Sequence, residues 1–258
     1  MRSIWSGAIG FGLVNIPMKL YSATESAKLD LDMLDKKDHA KIKYNRMNAD
    51  SGKEVAWGDI VKGYKYEDDY VILTDEDFEK ASPEKSKTIA IEEFTEAAMI
   101  DPAFYDTPYY IEPAKGGERA YALLREALKD TGKVAVGRFV MRSRENLCIV
   151  RPQDNMLVLM KLRFAEEIRD TKELNLPSSK VDIKPAELKM AEALIDQLTP
   201  KKFDIAKYKD TYDQALLKLI EAKAKGKKIA APKPKAAKTK TVDLMEQLKA
   251  SLAHKKAS

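Results

Sequence analysis

The sequence predicts an α+β fold that is mainly β, with its helices gathered toward the C-terminal end. Three observations carry this. Short apolar runs with strand spacing, broken by glycine, proline and acidic turns, fill most of the chain up to about residue 168. One long amphipathic helix pattern interrupts them, and two more follow after residue 184. At 258 residues and 44% hydrophobic composition, the chain can bury the core of one large domain or two small ones.

The first run, "SIWSGAIGFGLVNIPMKLYSA", carries glycines at 7, 10 and 12 and Pro17, which suits a bent strand or a hairpin at a barrel corner. Its glycines do not follow the order of a phosphate-cradling loop. "LDKKDHAKIKYNR", Leu34 to Arg46, alternates, with Lys41, Lys43 and Asn45 on one side of an extended strand and Ile42, Tyr44 and Arg46 on the other. The residues alone leave open an ordinary exposed strand or a ligand surface. "DSGKEV" reads as a turn and "DIVKGYKYEDDYVILT" as strand, turn and strand. Thr74 and Asp77 have the spacing of a capping box, so a short helix starts there. "KTIAIEEF" and "TPYYIEP" return to strand.

"GERAYALLREALKDTG" is the clearest helix, with Ala120, Leu123, Leu124, Ala127 and Leu128 on one stripe and Gly132 as its stop. Strands resume in "KVAVGRFVMRS", "NLCIVRP" and "NMLVLMKLRFAEEI", the last suited to burial on both faces or to a barrel wall. Pro185 opens a helix with Leu188, Ala191, Ile195 and Leu198 at helical spacing, and "DTYDQALLKLIEAKAKG" repeats the pattern with Leu216, Leu219 and Ile220. Both stripes need a covering surface, from the strands or from a second subunit.

The net charge of +5 is unevenly held: from Lys218 onward twelve lysines face Glu221, Asp243 and Glu246, a local +9, so the first 217 residues carry −4. "KGKKIAAPKPKAAKTKT", residues 225–241, has no acid, and Pro232 and Pro234 break any continuous helix, so it reads as a flexible linker. Residues 242–258 recover helical spacing. Val242, Met245, Leu248 and Leu252 share one face of that short helix, which either docks a partner, through Leu244, Met245, Leu248 and Leu252, or folds back on its own chain.

Catalysis is hard to assemble from this inventory. His39 and His254 are the only histidines, too few for a hydrolytic triad or a histidine-rich metal site. Glu166 and Glu167 in "FAEEIRD" read as a solvated strand end. Cys148, the single cysteine, sits in an apolar run and reads as buried and inert. No run approaches the ~18 apolar residues of a membrane span, and no apolar stretch follows a charged N-terminal segment, so the expectation is a cytoplasmic binder with no cofactor and no membrane partner.

Taken in order, "SGAIGFGLVNIPMKLYSATE", "DIVKGYKYEDDYVILTDEDFE", "TPYYIEP", "AYALLREAL", "GKVAVGRFVMRSREN", "LRFAEEIR", "ELKMAEALIDQL" and "YKDTYDQALLKLIEAKA" resemble successive blocks of the bacterial Ku family over residues 2 to about 224. The resemblance implies a homodimeric ring, each subunit giving a β-barrel, an inserted bridge and C-terminal helices, threaded onto double-stranded DNA ends. It also implies a role in non-homologous end joining and recruitment of the ATP-dependent ligase D. Residues 1–224 would form this core, 225–241 the linker and 242–258 the tail helix.

A ring with an acidic exterior still binds DNA if its bore is basic, because phosphate neutralisation is local. The resemblance carries DNA contact over to Lys36, Lys37, Lys41, Lys43 and Arg46. Arg138, Arg142 and Arg144 in "GRFVMRSR" are further candidates; Arg138 and Arg142 share a strand face, though salt bridges to nearby acids would serve them as well. Lys223, Lys225, Lys227, Lys228, Lys233, Lys235, Lys238 and Lys240 would add tail contacts. Relatives often carry cysteine at the position of Asn48 and histidine at that of Asp35, so this chain is expected to bind no zinc. Two other readings stay open: a nucleoid-type DNA-coating protein acting through its lysine tail, and a protein-interaction adaptor.

Overall fold

The computed structural model describes residues 1–26, 28–81, 87–178, 181–227 and 244–254. The chain divides into two compact units, Met1–Thr171 and Lys172–Ser258. The first holds a closed seven-stranded barrel and a long excursion from it.

Strands β1 (Trp5–Phe11) and β2 (Val14–Ser22) form the first hairpin, turning on Gly12 at φ 56°. β3 (Lys62–Tyr66) and β4 (Asp69–Leu73) form a separate two-stranded ribbon. Helix α1 (Asp75–Ala81) follows, opened by the predicted capping box: the Thr74 amide donates to Asp77 Oδ2 (2.9 Å) and the Asp77 amide to Thr74 Oγ1 (3.3 Å). The bond from the Thr74 amide, with a second donated by the Thr74 hydroxyl to Asp77 Oδ2 (2.7 Å), holds the Asp77 carboxyl below its ordinary pKa.

The barrel continues with β5 (Thr88–Glu96), β6 (Tyr105–Pro113), β7 (Lys133–Met141), β8 (Arg144–Gln153) and β9 (Met156–Leu162). Its order is β1-β2-β6-β9-β8-β7-β5, and a parallel pairing of Ala8–Gly10 with Thr88–Ala90 closes it. Closure removes the open edges that exposed strands leave. At the β5–β7 seam the register shifts between Ile91 and Glu93, and the bulge presses on Gly137, where a Cβ would stand 2.3 Å from the Ala90 carbonyl oxygen. Only glycine fits there.

Inward residues of every barrel strand make the core, among them Ile9, Ile16, Leu20, Ile89, Ile111, Phe139, Val150 and Leu159. Helix α2 (Glu118–Thr131) packs on β2, β7 and β8, strands from opposite sides of the barrel, and adds one apolar face to the same core. Its buried residues are Tyr121, Leu124 and Leu128, with Leu123 exposed. The expected stripe through Leu123 and Ala127 is thus rotated by part of a turn, because the Tyr121 ring is the larger apolar body and its hydroxyl has buried partners. Gly132, at φ 66°, ends the helix as predicted.

Three further expectations give way to geometry. Lys41–Arg46 is not a strand: the alternation is real, but no second strand pairs with it, and only isolated bridges Leu34–Lys41 and Met47–Glu54 form. The barrel strand β9 stops at Leu162, and Glu166 and Glu167 lie in a 3-10 turn, where the Glu167 carboxylate accepts from the Phe164 amide (2.7 Å). In the second unit, α3 (Pro185–Leu198) half-buries Met190, Ala191 and Leu194 and leaves Leu188, Ile195 and Leu198 exposed.

Helix α4 (Thr211–Ala224) half-buries Leu216 and Leu219 and leaves Ile220 exposed. Helix α5 (Leu244–His254) packs along α3 with Met245, Leu248 and Leu252 half-buried, which is the fold-back arrangement of the terminal helix. Among the described residues no helix is long and apolar enough to cross a membrane.

Candidate nucleic-acid interface

The cationic stretch belongs to an excursion whose residues 30–54 are all exposed. Two tight loops organise it. In the first, the Lys37 amide donates to Asp35 Oδ1 (2.8 Å), the His39 amide to the Asp35 carbonyl (2.9 Å) and the Asp35 amide to the Ala40 carbonyl (2.8 Å), with His39 at φ 60°. In the second, the Asp50 and Ser51 amides donate to Asn48 Oδ1 (3.0 and 2.9 Å), and Gly52 takes φ 64°. Asp35 and Asn48 are therefore spent on their own turns. Among the described residues no group of three or more His, Cys, Asp or Glu side chains could hold a metal ion.

These loops display the predicted cations in different states. Lys36, Lys37 and Lys43 are exposed with no ion pair among the described residues. Lys41 pairs with Asp32 at 2.8 Å, both side chains largely exposed, a contact weak enough for a stronger anion to displace. The Arg46 guanidinium lies over the Trp57 ring, 4.3 Å from its centroid, with the indole itself 73% exposed.

On the barrel, the three arginines separate. Arg138 on β7 bridges Glu92 (3.2 Å) and Glu145 (3.1 Å), so its charge is already matched across three strands. Arg142 does not share its strand face: β7 ends at Met141, and Arg142 with Ser143 makes the two-residue turn into β8. Arg142 and Arg144 have no side-chain hydrogen bond or ion pair among the described residues. The turn residues stand at φ 54° and 63°, the one consecutive non-glycine pair at positive φ among the described residues. Holding two such residues costs about 1 kcal/mol each or more.

Sequence reasoning read the β3–β4 ribbon as strand, turn and strand but named neither it nor Trp57 as a ligand surface. Lys62, Tyr64 and Tyr66 lie on one ribbon face and Lys65 and Tyr70 on the other; Tyr64 is 66% and Tyr70 63% exposed. The cation–aromatic alternation in "KGYKY" was the available signal. Of the tail lysines, Lys223 lies in the last turn of α4, and Lys225 and Lys227 are exposed beyond it. Lys228, Lys233, Lys235, Lys238 and Lys240 fall outside the described residues, as does the side chain of Leu244.

Cys148 is fully buried, its thiol donates to the Gly137 carbonyl (3.3 Å), and burial pushes its pKa far above the usual thiol range. It is no nucleophile.

The closed barrel carries exposed cationic and aromatic extensions on which a ligand surface can form. Comparison with known proteins names the family. The family model Ku, described as the Ku70/Ku80 beta-barrel domain, matches residues 10–190. A non-homologous end joining protein Ku of Coxiella burnetii is 41% identical over 261 residues, covering 98% of this chain and 95% of that protein. Its namesakes in Archaeoglobus fulgidus (40%, 98% of each chain) and Bacillus subtilis (39%, 98% of this chain and 82% of that one) match over the same share of this chain. The chain belongs to the Ku family, whose members are non-catalytic scaffolds.

Proposed function

We propose that this chain is a double-stranded DNA end-binding protein of non-homologous end joining. It acts as a homodimer whose two copies close a ring around the duplex, and it recruits ligase D. The end-to-end match to relatives named for that process carries the reading.

Two features support the finer parts. A two-stranded ribbon is marginal alone in water, yet β3–β4 leaves Tyr64, Tyr66, Tyr70, Val71 and Ile72 exposed; a second copy is the cover this apolar surface suits. The unpaired Lys36, Lys37, Lys43, Arg142 and Arg144, with the displaceable Lys41 and Arg46, supply local positive potential on a core whose total charge is negative. Arg138 is withdrawn from the DNA contacts, since binding DNA would break two ion pairs.

Residues 1–224 are the ring-forming core, 225–241 a linker whose lysines reach flanking DNA, and 242–258 the ligase-docking tail. To dock through Met245, Leu248 and Leu252, α5 leaves α3. Contacts fall on sugar and phosphate, so sequence preference is slight and entry is at a free end.

A competition assay with one plasmid in linear and covalently closed form tests this. Linear-only competition is expected; equal competition would mean a coating protein acting through its tail, and none by either form would mean an adaptor. Removing residues 226–258 should weaken binding and leave end selectivity intact. Loss of selectivity would show that the ring alone does not confer it.

A further inference from the structure

Where α2 passes the ends of β1 and β5, a groove of about 500 Å³ opens, lined by Phe11, Phe94, Leu123, Ala127, Leu128 and Lys133 among others. The core draws in Tyr121, Leu124 and Leu128 and leaves the rest of the helix's apolar stripe outside, with Leu123 71% exposed. Phe94 is itself 44% exposed and stands edge-on to Phe11, ring centroids 6.4 Å apart, a contact that fixes one wall of the groove. Val14, the register partner of Phe11, is exposed beside it. Apolar side chains from a helix and two strands thus meet in one concavity open to water, the mark of an interaction surface.

The charge of the groove is as specific as its shape. Lys133 is the one charged residue of the lining. Among the described residues it makes no ion pair, not even with its cross-strand partner Glu96, and Glu126 on α2 is taken by Arg125 at 2.6 Å. A free ammonium therefore stands at the edge of a carbon-lined trough.

We infer that this groove docks a short peptide segment of a partner protein, its apolar side chains against Phe11, Phe94 and Leu123 and a neighbouring carboxylate on Lys133. This goes beyond the end-binding reading and does not depend on it. Charge complementarity selects the occupant. A duplex presents a charge every ~1.7 Å and finds one cation set among hydrocarbon, so the groove is no DNA surface. A peptide with an acid beside its apolar anchors matches both parts: the anchors supply the buried area, and the ion pair at the rim fixes which way the segment lies.

Selection from a displayed library of random short peptides on the intact chain, counter-selected on Leu123→Asp, tests this without DNA. Leu123 is exposed, so that variant should melt as the wild type does. Enriched sequences should place Leu, Phe or Trp next to Asp or Glu. A synthetic peptide of the enriched sequence, followed by fluorescence anisotropy, should bind about tenfold more weakly to Leu123→Asp and about fivefold more weakly to Lys133→Glu. Exchanging the peptide's acid for lysine should restore binding to Lys133→Glu and not to wild type. Enrichment of basic or uncharged sequences, or none beyond the counter-selection, would overturn the proposal. So would a fall in oligomeric state of Leu123→Asp by light scattering, which would give the groove to a second copy. Displacement of the selected peptide by one of the tail sequence 242–254 would give it to the chain's own terminus and overturn it equally.

Discussion

Tyr121 is the residue through which α2 is tied to the end of the β6–β9 ladder, and replacing it with phenylalanine isolates that tie. Its hydroxyl donates to the Ile111 carbonyl (2.8 Å) and accepts from the Leu157 amide (2.6 Å). Ile111 and Leu157 are register partners at the end of the β6–β9 ladder, so the hydroxyl stands between two strands at the point where their pairing stops. Both residues are buried, Leu157 completely.

Phenylalanine keeps the ring packing and leaves an amide and a carbonyl without this partner. At about 1–3 kcal/mol for each buried unsatisfied group, the loss is about 2–4 kcal/mol after partial relaxation. With a urea dependence of about 2 kcal/mol/M, the unfolding midpoint should drop by about 1–2 M with no change in slope. Tryptophan fluorescence reads this, because Trp5 packs edge-on against Phe139 in the barrel while Trp57 is already exposed.

The wild type should also lose stability in alkali. Burial raises the Tyr121 pKa above 10.0, so its contribution is complete below about pH 10 and fades as pH climbs through the higher folded value. A Tyr121→Phe midpoint within about 0.2 M of wild type would refute the claim that the hydroxyl stitches the two strands.

Arg138→Ala should cost at most about 1 kcal/mol, since Arg138 and both its acids are near half-exposed, and should leave duplex affinity unchanged by anisotropy. A loss of duplex affinity would contradict its structural role. Gly137→Ala should lower the melting temperature sharply, at a cost of about 3 kcal/mol or more, because the new Cβ meets a backbone carbonyl that only the β5 bulge could yield. A wild-type melting curve would mean the seam is looser than its register implies. Cys148 should resist an aromatic disulfide reagent at pH 8 in the native state and react fully in denaturant. Its raised pKa adds stability below the ordinary thiol value near 8.5 that is lost as pH rises beyond it.

Much of this was legible in the residues because the signals are local. Glycines and a proline that suit a bent strand or hairpin in the first run, a capping box at Thr74 and Asp77, and a glycine stop at 132 each act within a few positions, and a hairpin, α1 and the end of α2 stand there. The α2 stripe was right at Ala120, Leu124 and Leu128 and wrong at Leu123 and Ala127, since its orientation depends on which residues find partners across the barrel, and Tyr121 finds Ile111 and Leu157. Lys41–Arg46 carried a strand's alternation with no strand to pair with, a fact about another part of the chain.

The sequence by itself determined the kind of protein: a mainly β chain without a catalytic constellation, with its positive charge concentrated in the tail and in short basic runs. Only the tertiary structure decided which charges are available to a ligand. Arg138 and Arg142 are four residues apart and chemically identical, yet one is held by Glu92 and Glu145 and the other stands free on a turn beside Lys62. The reason is physical: an ion pair forms between side chains that the fold brings within about 4 Å, and that proximity is set by strand register across the barrel, which no neighbouring residue in the sequence encodes.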